Sequence, residues 1–234
     1  MDSASPNASS NYAVLLLTAP PPGDEADDGA LVKIDGRESV MRAMELFVNR
    51  AGVSQILLVI NPSRAEQYKQ KVASHLSFMG IKLIEGGATW AEQCQAARPK
   101  LADEVTHIVL HDAARPAVPY PDLDALLSGD SVAPVVALGL PISGMLADVD
   151  RVPGAATRSA AHLAQIVTPI VFERGAFNQF CDSGELPVTI DLLRGSPLNV
   201  RCGSTEPNFV KAMISLLPKP KVRAANSPFE EAQW

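Results

Sequence analysis

The segment with the clearest chemical character is His111-Asp112-Ala113-Ala114-Arg115-Pro116, which directly follows the apolar run 108–110. Ligands of an open α/β sheet bind outside the carboxyl ends of its strands. The guanidinium of Arg115 suits a phosphate, and the carboxylate of Asp112 suits a sugar hydroxyl or a metal ion. The two alanines leave room for a close approach to the backbone. The alternative is a structural turn, in which Asp112 caps the next segment, Arg115 pairs with a carboxylate and Pro116 ends the strand.

Strand-like and helix-like segments alternate along the chain and would position that hexapeptide. Apolar runs indicate buried strands, and 3.6-residue periodicity indicates helices between them. Short connections predict an α/β fold with a Rossmann-like, mainly parallel three-layer sheet. The predicted strands are 13–17, 56–60, 81–84, 106–110, 132–140 and 198–201, and the predicted helices are 39–50, 61–78, 89–101, 122–127, 168–180 and 210–217.

A stretch of glycine, proline and small polar residues interrupts this alternation at about 143–167 and predicts a protruding arm. We therefore expect a single α/β domain over 13–217 that carries the arm. The polar segment 1–12 predicts a disordered N-terminus, and the proline-containing segment 218–234 predicts an extended tail.

The overall composition excludes several classes of protein. A net charge of −6 over 234 residues gives no attraction for nucleic acid or for an anionic membrane surface. No apolar run approaches the roughly 20 residues of a membrane helix, and no basic segment resembles a signal or transit peptide. Cys94, Cys181 and Cys202 lack the spacing of a zinc site or a disulfide framework. These features predict a cytoplasmic protein without nucleic-acid or membrane partners.

Further motifs accompany segment 111–116 between about residues 14 and 217. They are the first strand at 14–17, Asp35-Gly36-Arg37 with Val40, Glu85-Gly86-Gly87, Thr168-Pro169 with Phe172, and 195–204 followed by Asn208-Phe209. In their order along the chain, these motifs resemble those of the 2-C-methyl-D-erythritol 4-phosphate cytidylyltransferases. Segment 111–116 is identical to that family's HDAARP signature, and Asn208-Phe209 stands at its N-I-K position.

The resemblance implies a nucleotidyltransferase fold with a β-arm that clasps a second subunit, and hence a homodimer. It also implies that CTP and a polyol phosphate are joined, with release of pyrophosphate and participation of Mg²⁺. The site residues carried over from the matching motifs are Thr18, Ala19, Gly86, Gly87, Asp112 and Ala113 for the nucleotide, Arg115 for the substrate phosphate, and Asp112 for the metal.

The chain departs from the family pattern where a triphosphate would bind. The family's glycine-rich loop A-A-G-x-G-x-R is replaced by the segment 18–24, which reads T-A-P-P-P-G-D. Prolines have no N–H to donate and fix φ, so three of them remove three potential phosphate contacts. The acidic residues at 24, 25, 27 and 28 would add carboxylates beside the phosphates.

The expected cations and base contacts are altered as well, so no catalytic residue is intact. Trp90 and Gln93 stand where the family has an arginine and a serine after the paired glycines. The family's two lysines and its arm arginine fall on Ala30, Val210 and Ala160, and the nearest substitutes are Lys33, Lys211 and Arg158, respectively.

Removing one group that stabilises a developing charge typically costs about 10²–10³ in rate. The sequence therefore favours a divergent family member with weak or absent CTP-dependent nucleotidyl transfer. The alternatives are an active enzyme that uses Lys33, Arg158 and Lys211, a non-catalytic dimeric binding or scaffold paralogue, and a nucleotidyltransferase with a different acceptor.

Overall fold

Strands and helices alternate along most of the chain. The computed structural model describes residues 10–22, 29–147, 157–186, 189–203 and 205–218. The strands are β1 Tyr12–Leu17, β2 Lys33–Ile34, β3 Arg37–Glu38, β4 Val53–Ile60, β5 Lys82–Glu85, β6 His107–Asp112, β7 Val135–Pro141, β8 Met145–Ala147, β9 Thr157–Ser159, β10 Ala164–Glu173 and β11 Asp191–Arg194. The helices are α1 Ser39–Glu45, α2 Ala65–Met79, α3 Trp90–Ala97, α4 Tyr120–Leu126, α5 Arg174–Ser183 and α6 Pro207–Ser215.

Seven of these strands form one sheet in the order β11-β7-β10-β6-β1-β4-β5. Neighbouring strands are parallel except that β10 is antiparallel to both β6 and β7. The predicted Rossmann-like, mainly parallel α/β sheet is confirmed.

The central strand β1 shows why this is a three-layer fold. All six of its residues are buried, as expected for a strand covered on both faces. Because successive side chains point to opposite faces, Tyr12, Val14 and Leu16 pack with α1 and α2 on one side. The intervening residues 13, 15 and 17 pack with α3 and α5 on the other side.

The arm is a small antiparallel hairpin of β8 and β9, in which Leu146 is opposite Arg158. Residues 148–156, which join the two strands, lie outside the described residues. The predicted arm over 143–167 is too long, because residues 164–167 belong to β10 and pair with β7 in the main sheet.

Two further element predictions are wrong. The predicted helix 168–180 is a strand up to Glu173 and becomes helical only in α5. The run of β-branched and aromatic residues Ile170-Val171-Phe172 favours the strand, and Pro169 lies where the pairing register with β7 shifts. The predicted strand 198–201 has no strand pairing, and β11 lies earlier, at Asp191–Arg194.

The predicted N-terminal disorder is wrong for residues 10–12. The amides of Thr106 and His107 donate to the carbonyl of Asn11 at 2.9 and 3.1 Å, and Tyr12 begins β1. Residues 1–9 and the tail predicted over 218–234, apart from residue 218, lie outside the described residues. No helix within the described ranges has the length and apolar character needed to cross a membrane.

The topology gathers several loops at one edge of the sheet. Leu17 at the end of β1 is in register with Asp112 at the end of β6. The end of β5 lies beyond β4 on the same edge, with Glu85 opposite Ile60. Because β10 runs in the opposite direction, its residue Thr168 meets this edge too, and its hydroxyl accepts a hydrogen bond from the amide of Asp112.

Candidate active site

Asp112 organises a buried charged cluster at the carboxyl end of β6. Its side chain is fully buried. One carboxylate oxygen, Oδ1, accepts a hydrogen bond from the amide of Ala114 at 2.9 Å, and Oδ2 lies 2.8 Å from Nε of Arg201 in an ion pair. Burial raises the pKa of Asp112, and the positive charge of Arg201 opposes that increase. The carboxylate therefore closes a turn, as in the structural alternative, and also forms an ion pair with the guanidinium of Arg201.

Arg115 is the second cation of this cluster and is 9% exposed. Its Nε lies 3.7 Å from Oδ2 of Asp112, and its Nη1 donates to the carbonyl of Asn199 at 2.7 Å. The side chain of Asn199 in turn donates to the carbonyl of Thr168 at 2.7 Å. These bonds tie the hexapeptide to β10 and to the loop after β11.

Asn199 and Arg201 are the site residues that the sequence analysis missed. The segment Asn199-Val200-Arg201 has the N-I-K spacing with a cation at its third position, and that was the available signal. The prediction placed this motif at Asn208-Phe209, but those residues lie in the first turn of α6, where Phe209 is 51% exposed. The match at 199–201 was overlooked because its third residue is an arginine and not the expected lysine.

Close packing of Gly29 against the loop after β11 fixes the position of Arg201. The backbone of Gly29 lies so near the carbonyl of Cys202 that a Cβ at Gly29 would overlap it. The amide of Cys202 also donates to the carbonyl of Ala114 at 2.8 Å. The loop after β11 is thereby fixed against the hexapeptide, which aligns Arg201 with Asp112.

His111 is a structural member of the hexapeptide. It is fully buried, its ring packs edge-on against Phe47, and its Nε2 lies 3.0 Å from the carbonyl of Arg115. Burial lowers the pKa of His111 to about 3. The ring is therefore neutral at pH 7 and supports the turn that carries Arg115.

Gln93 occupies the amides that were predicted to contact a nucleotide. Its fully buried side chain accepts hydrogen bonds through Oε1 from the amides of Thr18 and Ala19 at 3.0 and 3.3 Å. Its Nε2 donates to the hydroxyl of Thr18 and to the carbonyl of Gly87. Trp90 adds a hydrogen bond from its indole N–H to the carbonyl of Ala19 at 2.9 Å. Side chains of α3 thus bind the backbone of Thr18 and Ala19 from within the protein.

The paired glycines, also predicted to contact the nucleotide, allow close packing of α3 against the sheet. A Cβ at Gly86 would press against Val59 and the backbone of Gln93, and one at Gly87 would overlap Glu92. Glu92 and Thr89 form a reciprocal capping box at the start of α3. Hydrogen bonds from the backbone of Thr89 lower the pKa of Glu92. The turn therefore serves the helix that delivers Gln93.

The remaining predicted nucleotide contact, Ala113, has both backbone groups engaged within the protein. Its amide donates to the carbonyl of Leu17 at 2.9 Å, and its carbonyl accepts from the hydroxyl of Ser39 at 3.2 Å. The side chain is fully buried. Ala113 thus locks β6 to β1 and α1.

The candidate substitute lysines are engaged with surface carboxylates. The side chain of Lys33 is 62% exposed and lies 3.9 Å from Glu38 across the β2–β3 hairpin. Lys211, on α6, is 57% exposed and lies 2.7 Å from Asp35. The third candidate, Arg158, is on β9 of the arm, and its side chain lies outside the described part. The structure does not place either lysine in the buried cluster around Asp112.

The residues around Asp112 do not fit a protein-held Mg²⁺. Two guanidinium groups surround this single carboxylate, with Nε of Arg201 at 2.8 Å and Nε of Arg115 at 3.7 Å from Oδ2. Over the described ranges, no group of three or more histidine, cysteine, aspartate or glutamate side chains is arranged to hold a metal ion. The acidic residues at 24, 25, 27 and 28, predicted to lie near the triphosphate, fall outside those ranges.

Comparison with known proteins identifies the family. The family model described as IspD, 2-C-methyl-D-erythritol 4-phosphate cytidylyltransferase, matches residues 24–191. This chain belongs to the IspD family. A curated cytidylyltransferase of that name from Rhodopirellula baltica is 30% identical over 124 residues, which is 48% of this chain and 51% of the relative. One from Bacillus velezensis is 26% identical over 141 residues, which is 60% of each chain.

The chain thus spans about half to three-fifths of these IspD relatives. The fold agrees over more of the length. A crystal structure of 4-diphosphocytidyl-2C-methyl-D-erythritol synthase from Anaerococcus prevotii superimposes with a TM-score of 0.70, over 88% of this chain and 97% of the other, at 12% identity. The IspD fold is therefore retained at low sequence identity.

We expect Gln93→Ala to lower the free energy of unfolding by about 2 kcal/mol. The substitution leaves the buried amide of Ala19 without an acceptor, while the amide of Thr18 keeps the carbonyl of Val59 at 3.2 Å. Chemical denaturation measures the loss, and hydrogen exchange should become faster at the amide of Ala19. Gln70→Ala, on the exposed face of α2, is the matched control and should change stability by less than about 0.5 kcal/mol. Equal effects of the two variants would contradict the assigned role of Gln93.

Proposed function

We propose that this protein is a divergent IspD-family member in which CTP-dependent nucleotidyl transfer is weak or absent. The observation that carries the proposal is the occupation of the Thr18 and Ala19 amides by Gln93. Phosphate-binding loops use backbone N–H groups of this kind to hold the anion. Since Gln93 is buried and bonded at both ends of its amide, a triphosphate would have to displace it.

The prolines after Ala19 support the same proposal. Pro20, Pro21 and Pro22 have no N–H, so this part of the loop cannot replace the amides that Gln93 occupies. Trp90 fixes the carbonyl of Ala19 and fills space with an apolar ring where the family has an arginine. The start of the loop is therefore built for internal hydrogen bonding rather than for phosphate.

The distribution of cations also supports weak chemistry. Nucleotidyl transfer depends on positive charge placed around the reacting phosphates more than on a protein nucleophile. Arg201 is directed to Asp112, and Lys33 and Lys211 are exposed beside carboxylates. Losing even one stabilising group costs about 10²–10³ in rate, so we expect turnover to be at least about 10³-fold below that of an active family member.

Calorimetric titration with CTP and Mg²⁺, alongside ATP, GTP and UTP, tests this proposal. We expect no saturable binding of any of the four at concentrations up to the order of 1 mM. Pyrophosphate release with CTP and methylerythritol phosphate provides the second readout, with the Bacillus velezensis relative as a positive control. Micromolar, CTP-selective binding with turnover near that of the relative would overturn the proposal.

The three alternatives differ in the outcome they predict. An active enzyme that uses Lys33, Arg158 and Lys211 would release pyrophosphate from CTP and methylerythritol phosphate. A nucleotidyltransferase with another acceptor would bind CTP and release pyrophosphate with a different polyol phosphate. A non-catalytic binding or scaffold paralogue would release no pyrophosphate, whether or not it binds a nucleotide. Homodimer formation through the arm, participation of Mg²⁺ if the protein is active, the phosphate contact of Arg115 and a cytoplasmic location stay predictions of the sequence.

A further inference from the structure

A cavity of about 510 Å³ lies beside Arg115, bounded by the β1 loop, by β10 and by the end of α5. This volume is within the range of small-molecule sites. Its lining comes from segments far apart in the chain, including Pro22, Trp90, Arg115, Thr168, Phe180 and Leu186. The cavity thus shares Arg115 with the charged cluster, while its other walls belong to different elements.

Most of the lining is apolar, and parts of it are fixed. Leu110 and Ile170 are paired neighbours on β6 and β10 and form a rigid apolar wall. Trp90 is held by its indole hydrogen bond to Ala19, and Phe180 packs against Phe172 in the core. Apolar walls of this kind favour a ligand with an apolar body, because unpaired hydroxyl or phosphate groups lose hydration there.

The polar part of the lining supplies the complementary charge. Arg115 is 9% exposed. Its planar guanidinium carries five N–H donors, and this arrangement suits an anionic group. The cavity's other charged lining residue, Glu185, is exposed, so solvent screens its charge more strongly than that of Arg115. Thr168 also lines the cavity, and its hydroxyl accepts a hydrogen bond from the amide of Asp112.

We propose that this cavity binds a small amphipathic anion, with an aromatic or prenyl-like apolar body and one anionic head group held by Arg115. The inference deepens the proposed function, because it names the ligand class that this cleft takes in place of CTP and a polyol phosphate. CTP would bring the several charges of its triphosphate and the hydroxyls of its ribose to walls that offer few donors. A carboxylate, a sulfonate and a phosphate monoester share the chemistry that Arg115 recognises.

The probe for this site is 1-anilinonaphthalene-8-sulfonate, which has an apolar body and one anionic group. The chain contains two tryptophans, Trp90 and Trp234, so the variant Trp234→Phe has Trp90 as its sole tryptophan. Energy transfer from Trp90 acts over distances longer than the cavity, so it reports binding near this tryptophan, and the Arg115 and Leu186 variants described below test whether the probe lies in the cavity. We expect saturable binding at one site with a micromolar Kd, and absence of saturable transfer would overturn the proposal.

The charge requirement is tested with a matched neutral probe, N-phenyl-1-naphthylamine. We expect Arg115→Gln to weaken the sulfonate probe about tenfold or more and to leave the neutral probe within about twofold. Equal weakening of both probes would contradict an anchoring role for Arg115. Competition by 1-naphthyl phosphate and by 1-naphthoate then distinguishes phosphate esters from carboxylates as head groups.

A second variant keeps the test independent of the folding of the buried cluster. Leu186 lines the cavity and is 38% exposed, so Leu186→Glu places a carboxylate in the lining at little risk to the fold. We expect it to weaken the sulfonate probe at least about fivefold. Leu216→Glu, at a 63% exposed leucine outside this lining, is the control and should have no effect. Identical affinities of the two variants would overturn the proposal.

The same protein preparations are assayed for pyrophosphate release from CTP. Turnover together with probe binding would overturn the proposed function and leave the amphipathic site standing. Neither turnover nor probe binding would overturn the site and leave the proposed function intact. The two failures are therefore distinguishable.

Discussion

Arg201→Met is expected to lower the free energy of unfolding by about 3–5 kcal/mol. Arg201 is 3% exposed and its Nε lies 2.8 Å from the carboxylate of Asp112, which is itself fully buried. Removing the guanidinium leaves a desolvated carboxylate without its nearest cation. Such a loss is larger than the net value of the ion pair, because an uncompensated buried charge remains. Urea denaturation at pH 7 measures the effect.

The matched control is Lys211→Met, which removes a cation from an exposed pair with Asp35. Pairs of this kind contribute about 1 kcal/mol or less, so the two variants should differ several-fold in their effect. The double variant Asp112→Asn/Arg201→Met should recover part of the loss, since it removes both charges. A destabilisation by Arg201→Met no larger than that by Lys211→Met would show that Arg201 does not compensate a buried charge.

Acidification from pH 7 to pH 4 is expected to cost about 3 kcal/mol of stability through His111 alone. Burial lowers the pKa of this histidine to about 3 in the folded state, against 6.5 for the ordinary group. Between these values the unfolded chain takes up a proton that the folded chain does not. The contribution of His111 is therefore complete above pH 6.5 and decreases by about 1.4 kcal/mol for each pH unit below it.

Comparison of the wild-type protein with His111→Gln isolates this contribution. The variant has lower stability at pH 7, because it loses the packing against Phe47, but it should show a shallower decline towards pH 4. The pKa of His107 is also lowered by partial burial, so it contributes to both proteins in the same direction. Parallel stability curves for the two proteins would contradict the low pKa of His111.

The sequence predicted the sheet because its strands are short, continuous apolar runs separated by amphipathic segments. All of β1 is apolar, and β6 has an apolar centre at 108–110, and these runs are visible without knowledge of distant contacts. The prediction failed after residue 143, where local patterns are weaker. The β-branched residues of β10 favour a strand. The predicted helix nevertheless began at residue 168, because the apolar residues Ala176, Phe177 and Phe180 of α5 have helical spacing and the helix was extended from them towards the N-terminus.

The candidate site was only partly predictable. The hexapeptide at 111–116 identified Asp112 and Arg115, since the two residues lie three positions apart in sequence at the end of one strand. Arg201 and Asn199 were missed, because their proximity to Asp112 depends on how the loop after β11 packs against Gly29 and Ala114. That contact spans nearly 90 residues of sequence and leaves no periodic signal.

The sequence by itself determined the α/β class, the family resemblance and the absence of the glycine-rich phosphate loop, because each is written in contiguous residue types. Only the tertiary structure decided what replaces that loop. Gln93 reaches the amides of Thr18 and Ala19 because α3 packs tightly on the Gly86-Gly87 turn. The apolar cavity beside Arg115 arises in the same way, from residues of five separate segments. Hydrogen bonds and packing between such segments depend on three-dimensional distance, which residue order alone does not specify.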